Sequence, residues 1–284
     1  MHPDRPVRRA GRDYPAVIID GFAGRSPVGL VEVLDSSPVL DPTLRAAGQG
    51  HLAAMLVANP SLFDGAVLAL TDLSAGVIRV HVSSYFAMLA TCDALRVDRS
   101  LRPRAIELAG GDALRSGAGR AAAIGISVAT TVPAAEGHAF LVVRRAPGIA
   151  DAGLWDVAPS GTLEPAGGDP LVANAATELR EELDLDIASA ELAKRLVVIG
   201  ITVDLWRLRS EICLRLDLSD SEATRLDDAA LVQGGEHDRL ERISLTPAGF
   251  AGLWTRFGPN EFTPSAAGAL ALLEESTQVG PSGS

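Results

Sequence analysis

Three glutamates, Glu178, Glu181 and Glu182, stand at i, i+3 and i+4 in the segment PLVANAATELREELDLDI. On a helix this spacing places the three carboxyls within one arc of ~100°, where they converge on a shared point. The opposite face carries Leu171, Ala175, Leu179 and Leu183, flanked by Val172 and Ala176, so the segment reads as a helix docked on a core. Most acidic helix faces are merely solvated. Here the usual basic partner at i+4 is missing: Glu178 is followed by Glu182, Glu181 by Leu185 and Glu182 by Asp186. Arg180 is the only nearby base, and it points away from the cluster by about 100° or more. Like charges at this spacing cost ~0.2–0.5 kcal/mol per pair. A hard divalent cation such as Mg²⁺ relieves that cost, because it prefers oxygen ligands and shares its shell between one or two carboxylates, water and phosphate.

The residues around this helix resemble the Nudix hydrolase family. Its signature runs Gly, five residues, Glu, seven residues, then Arg-Glu-apolar-x-Glu-Glu-x-Gly-apolar. Thr177-Glu178-Leu179-Arg180-Glu181-Glu182-Leu183-Asp184-Leu185 matches the second half. Asp169 stands where the family has its first Glu, and Gly161 matches the opening Gly across a longer loop, Glu164-Pro165-Ala166-Gly167-Gly168. Upstream, HAFLVVRRAPGIADAGLWDVAPSGTLEP resembles the family's strand, glycine loop and tryptophan segment. Downstream, VVIGITVDLWRLRSEICLRLDL resembles the strands that follow the box, while GGEHDRLERISL and FTPSAAGALALL resemble the closing strand and helix. Thr177 and Asp169 together replace the Arg–Glu pair that braces loop to helix in the family. Asp184 replaces the Gly of the helix C-cap, a left-handed position that Asp tolerates.

The resemblance implies an α+β chain: a Nudix-type α/β/α sandwich with a mixed sheet over about residues 119–275, preceded by a small α+β domain over 14–118. It implies a metal-dependent hydrolase that cleaves the diphosphate linkage of a nucleoside diphosphate derivative. Glu178, Glu181 and Glu182 would be its catalytic and metal-holding residues, with Mg²⁺ or Mn²⁺ as cofactor. Glu236 is the candidate for a further metal carboxylate, with Glu241 behind it; its alternative is a plain loop charge. Arg144 and Arg145, which end the strand AFLVV, and Gly161 are the substrate-facing candidates. The alternative for the arginines is a strand-end surface pair. The general base stays open between Glu182 and a loop residue. A second function class is a weak or inactive Nudix-fold module that senses a nucleotide or a partner protein. Intact glutamates favour the enzyme; Thr177, Asp169 and the longer loop favour the sensor.

Composition bounds these readings. The chain has 284 residues, 47% of them hydrophobic and 21% charged, enough for two domains and a substantial core. Aromatics make up 4%, so Ala, Val and Leu are expected to dominate that core. A net charge of −11 argues against nucleic-acid duplexes and anionic membranes as main partners. A small nucleotide remains compatible, because a metal supplies local positive charge. Cys92 and Cys213 lack metal-ligand spacing and read as buried thiols. The N-terminus lacks the apolar core of a secretion signal, so a cytoplasmic protein is expected. No run resembles a membrane helix. A homodimer is the assembly many family members adopt.

In the N-terminal unit, AVIID and VGLVEVL read as strands, DPTLRAAGQGHLAAMLVANP as an amphipathic helix and GAVLALTDLSAGVIRVHVSS as a hairpin. SYFAMLATCDALRV and RAIELAGGDALRSG read as helical. The unit is expected either beside the hydrolase domain or completing its sheet. His51 and His81 read as packing or surface histidines, since neither has a second ligand nearby in sequence. Residues 1–13 are expected as a flexible arm and 276–284 as a mobile tail.

Overall fold

The computed structural model describes residues 4–74, 76–226 and 236–278. A nine-stranded mixed sheet forms its centre. β1 (Arg5–Arg9) and β2 (Arg12–Ile19) form a hairpin at one edge. In the main path they are followed by β10 (Val197–Asp204), β11 (Arg209–Asp217), β6 (Gly125–Ala134), β7 (Gly137–Arg145) and β12 (His237–Ser244). β8 (Trp155–Val157) pairs with β7, and β9 (Ser160–Thr162) with β6. The β11–β6 pairing is parallel, and its neighbours on both sides are antiparallel. A second sheet orders β3 (Val31–Leu34), β5 (Val77–Ser84) and β4 (Ala66–Ser74).

Helices cover both faces of the large sheet. α1 (Pro42–Ala58) begins at an Asp41 cap; α2 (Tyr85–Met88) runs through a π turn at Leu89–Asp93 into α3 (Ala94–Val97), and α4 (Arg102–Leu108) follows. α5 (Pro170–Leu183) and α6 (Ser189–Arg195) pack on one face, and the short α7 (Asp220–Ala223) follows β11. α8 (Pro247–Arg256) and α9 (Pro264–Gln278) cover the other face. Gly268 brings α9 close to β10, since a β-carbon there would meet Thr202 Cγ2 at 2.6 Å. This is the expected α+β sandwich, and its two faces differ. The α8–α9 side holds Tyr14, Phe140, Trp155, Phe250, Trp254, Phe257 and Phe262, seven of the twelve aromatics (three Trp, two Tyr, seven Phe). The expected Ala/Val/Leu core is found on the α5 side, and on the α8–α9 side Ala, Val and Leu pack among these rings. Composition averages over the chain and cannot show that its few large rings share one layer.

Two expected boundaries change. Residues 5–9 are a strand rather than part of a flexible arm: Arg5 pairs with Asp20 and Glu275, and Arg9 with Glu274 and Glu275 of α9. RPVRR alternates too weakly in hydropathy to read as a strand, and its order comes from these remote carboxylates. At the other end, α9 extends through Gln278, so residues 276–278 of the expected tail are helical; 279–284 lie outside the described residues. The expected division at 118/119 cuts no gap in packing. Val17, Leu30, Val67, Leu70, Ile78 and Met88 share one core cluster with Ile126, Leu171, Leu179 and Leu214, and β2 pairs with β10. Of the two placements expected for the N-terminal unit, β1 and β2 complete the large sheet while the rest packs beside it. Among the described residues no helix is long and apolar enough to cross a membrane.

Candidate active site

The acidic helix forms for local reasons. Asp169 caps α5 by accepting from Leu171 N and Val172 N, both at 3.1 Å, and Pro170 occupies the first turn, where its missing N–H is harmless. The helix stops at Asp184, which adopts φ 53° and ψ 34° while Leu185 N donates to Leu179 O at 3.1 Å. The left-handed cap expected there is met without glycine. Asp169 also accepts from Gly29 N at 2.8 Å, tying the start of the box to the N-terminal unit.

The three glutamates diverge in environment. Glu178 packs directly against β9: a β-carbon on Gly161 would overlap its carboxyl, which would have to swing away. Burial pushes the Glu178 carboxyl up to about 8, and the negative charges of Glu182, Glu181, Glu236 and Glu164 add to the shift. Glu182 is buried at 8% exposure; its Oε1 accepts from Ser160 N at 3.0 Å and its Oε2 lies 2.9 Å from His237 Nε2. Burial raises its pKa as well, opposed by those two partners. His237 Nδ1 is buried without a partner. Glu181 is exposed, with Arg180 at 3.9 Å. Among the described residues no group of three or more His, Cys, Asp or Glu is gathered tightly enough to hold a metal as the side chains stand. Glu178 and Glu182 thus pack toward β9, at Gly161 and Ser160, while Glu181 is exposed.

The remaining candidates separate by strand geometry, because neighbouring residues of a strand point to opposite faces. Arg145 turns inward, donating to Asp156 Oδ2 at 3.1 Å and Ala150 O at 2.7 Å. Arg144 turns outward into a bidentate pair with Asp238, at 2.7 and 2.9 Å. Of the two arginines, Arg144 is thus the strand-end surface pair. Glu236 is exposed, its carbonyl accepts from Ala146 N at 2.8 Å, and it lies close enough to act on both Glu178 and Glu182. Glu241 is instead engaged by Arg256 of α8.

A cavity of about 190 Å³ opens beside Gly161, lined by Tyr85, Arg145, Ser160, Thr162, Arg209 and Glu211 among others. Two more cavities adjoin Tyr85. One, about 320 Å³, contains Glu178, Phe63 and Glu164; the other, about 630 Å³, contains His51, Arg96, Asp151 and Glu236. Sequence reasoning missed Arg209 and Glu211. Arg209 donates to Ala123 O at 3.0 Å and to Thr162 Oγ1 at 3.4 Å, and has no ion pair among the described residues. Glu211 accepts from Ser127 Oγ at 2.6 Å, and burial pushes its carboxyl up to about 8. The signal was present in RLRSEICLRLDL, where charged residues alternate into a strand that pairs on both sides. Cations and carboxylates thus meet at one mouth, a combination suited to phosphate esters.

Neither a family model nor a curated protein matches the sequence. Solved structures do. The C-terminal domain of mouse MUTYH, crystallised with human PCNA, is 17% identical over 55% of this chain and 90% of its own, with a TM-score of 0.37. The Nudix hydrolase RenU of M. smegmatis is 16% identical over 56% and 88%, with a TM-score of 0.35. An Ap4A hydrolase of C. elegans is 15% identical over 54% and 96%, with a TM-score of 0.30.

Proposed function

We propose that this chain is a metal-dependent hydrolase that cleaves the diphosphate linkage of a nucleoside diphosphate derivative. The observation that carries this is the Glu178 carboxyl, pressed on Gly161, crowded by other carboxylates and given no basic partner among the described residues. Such a group is satisfied by an added cation, and oxygen donors suit Mg²⁺ or Mn²⁺. Glu178 and Glu182 would hold the ion, with Glu181 and Glu236 at the edge. When bound, it polarises phosphoryl oxygens and lowers the pKa of bound water. The protein supplies the rest. Arg145 and Arg209 donate to phosphate oxygens, Arg209 with no carboxylate to release first. His237 and Ser160 N–H hold Glu182 in one orientation, and Tyr85 closes the wall from the N-terminal unit. Glu211, held by Ser127, joins Glu182 as a candidate proton acceptor.

The test is a panel of nucleoside diphosphate sugars, dinucleotides and nucleoside triphosphates incubated with Mg²⁺ or Mn²⁺, with product nucleotides resolved by ion-exchange chromatography. Turnover is expected for at least one diphosphate-linked compound and is lost in Glu178→Gln/Glu182→Gln. Turnover that survives in that double variant refutes the assignment. One observation favours a second reading, a ligand-sensing module without turnover: Glu182 already has both oxygens engaged, by Ser160 and His237. Ligand-dependent thermal stabilisation with no product under any metal would select it.

A further inference from the structure

The N-terminal unit contains a cavity that shares no lining residue with those around the box. Its volume is about 550 Å³, within the usual ~300–1,000 Å³ range of small-molecule sites. Its walls are largely apolar, from Pro38, Leu40, Leu70 and Leu108, with His81 and Thr71 from the small sheet and Arg120 from the segment before β6.

Two buried groups in this lining are unsatisfied. His81 is 6% exposed; its Nδ1 lies 2.9 Å from Thr71 Oγ1, and its Nε2 has no partner. Burial lowers the His81 pKa, so the ring is neutral near pH 7 and one nitrogen carries the proton. The Thr71 hydroxyl can donate to Nδ1, and in that tautomer the proton sits on Nε2 as a free donor. Arg120 is 1% exposed and donates to three backbone carbonyls: Leu208 O at 2.7 Å, Ala113 O at 3.2 Å and Ser116 O at 2.7 Å. Its Nε has no partner, and among the described residues no carboxylate pairs with it. The one carboxylate in the lining, Asp41, is already neutralised by Arg104 at 2.7 Å and accepts from Leu44 N at 2.9 Å. One buried positive charge without a carboxylate partner and one unused imidazole nitrogen therefore line the same largely apolar cavity.

We propose that this cavity binds a small carboxylate with an apolar body, its carboxylate directed to His81, which shares the lining with Arg120, and its body against Leu40, Leu70 and Leu108. A buried charge without a counter-charge is costly, and an anionic ligand supplies the missing partner. The apolar walls select against small hydrophilic anions such as inorganic phosphate.

The test uses the full chain and a charge series on one scaffold: 4-phenylbutyrate, 4-phenylbutanol and 4-phenylbutylamine, titrated by calorimetry and by histidine side-chain ¹⁵N NMR. The carboxylate is expected to bind about tenfold or more tighter than the alcohol, with the amine weakest, and to shift the His81 resonances. His81→Phe is expected to weaken it about tenfold. Ala118→Trp fills the cavity from an exposed rim position without entering the core, and is expected to abolish binding while circular dichroism stays unchanged. Glu178→Gln leaves this affinity unchanged, so the outcome is independent of the hydrolase reading. No binding of the carboxylate, equal binding of the alcohol, or full binding in Ala118→Trp overturns the proposal.

Discussion

Two gatherings of carboxylates stand on either side of Tyr85 and are built on opposite terms. Arg207, 5% exposed, holds Asp204 at 3.0 Å, Asp151 at 2.8 Å and Asp93 at 2.5 Å; Arg96 also binds Asp151, and His51 reaches Asp93 at 3.4 Å. Burial alone would raise the Asp93 carboxyl, but His51 and Arg207 overcome it and hold it far below the usual range. Across Tyr85, Glu178 is pushed up to about 8 by burial and by the surrounding carboxylates, with no basic partner among the described residues. The first cluster is complete and reads as scaffold. The second lacks a cation and reads as a place for one. Acidic residues near a cavity are informative only once their partners are counted.

The comparison breaks most sharply if the two clusters respond alike to loss of one member. Arg207→Met removes the cation shared by Asp93, Asp151 and Asp204, leaving only His51 and Arg96 to answer the first two, and is expected to destabilise the fold by about 3–5 kcal/mol, read by urea unfolding. A change below ~1 kcal/mol would show that Arg207 is no scaffold. Glu178→Gln is expected to lower kcat by about 10³-fold on whichever substrate the panel identifies, with the fold intact. Gly161→Ala should displace the Glu178 carboxyl and lower kcat/KM by about 10–100-fold with little change in Tm. Retained activity would mean that the β9 contact does not position Glu178.

The pH response sharpens the contrast further. A carboxyl raised from 4.5 to about 8 keeps its proton in the folded state while the unfolded chain releases it, so the stability it contributes is lost as pH rises from 4.5 through about 8. Gln cannot ionise. In EDTA, Glu178→Gln should match the parent near pH 4.5 and exceed it at pH 9, by about 3 °C in Tm. The Asp93 cluster has the opposite sign: its depressed carboxyl stabilises the fold above the ordinary carboxylate range, and this is lost on acidification. Equal Tm for parent and variant at pH 9 would contradict the crowding around Glu178. The smallest effect lies at the helix start, where Asp169→Ala removes a cap and the bond from Gly29 at a cost of about 1 kcal/mol.

Much of this was legible beforehand, for identifiable reasons. α5 was readable because its apolar period and its left-handed Asp184 stop are both local. The β4–β5 hairpin and α1 followed from the same kind of signal. Arg144 and Arg145 were named together, yet only the sheet decides which of two adjacent residues faces the cavity. β1 was unreadable because its charges are answered by α9, more than 260 residues away. The alternating charges of RLRSEICLRLDL were visible, but what Arg207, Arg209 and Glu211 meet was not, since their partners come from β6, β9, the π turn and the loop after β7.

By itself, then, the amino-acid order determined where a helix must form, which of its faces docks and that Glu178, Glu181 and Glu182 share the other, because helical period and capping act within a few residues. Only the tertiary structure decided that Glu178 is crowded by carboxylates, that Glu182 is claimed by His237, that Glu181 stays exposed and that Arg207 satisfies the neighbouring acids. Burial and counter-charge are set by elements far apart in the chain, and a one-dimensional pattern carries no record of which of them meet.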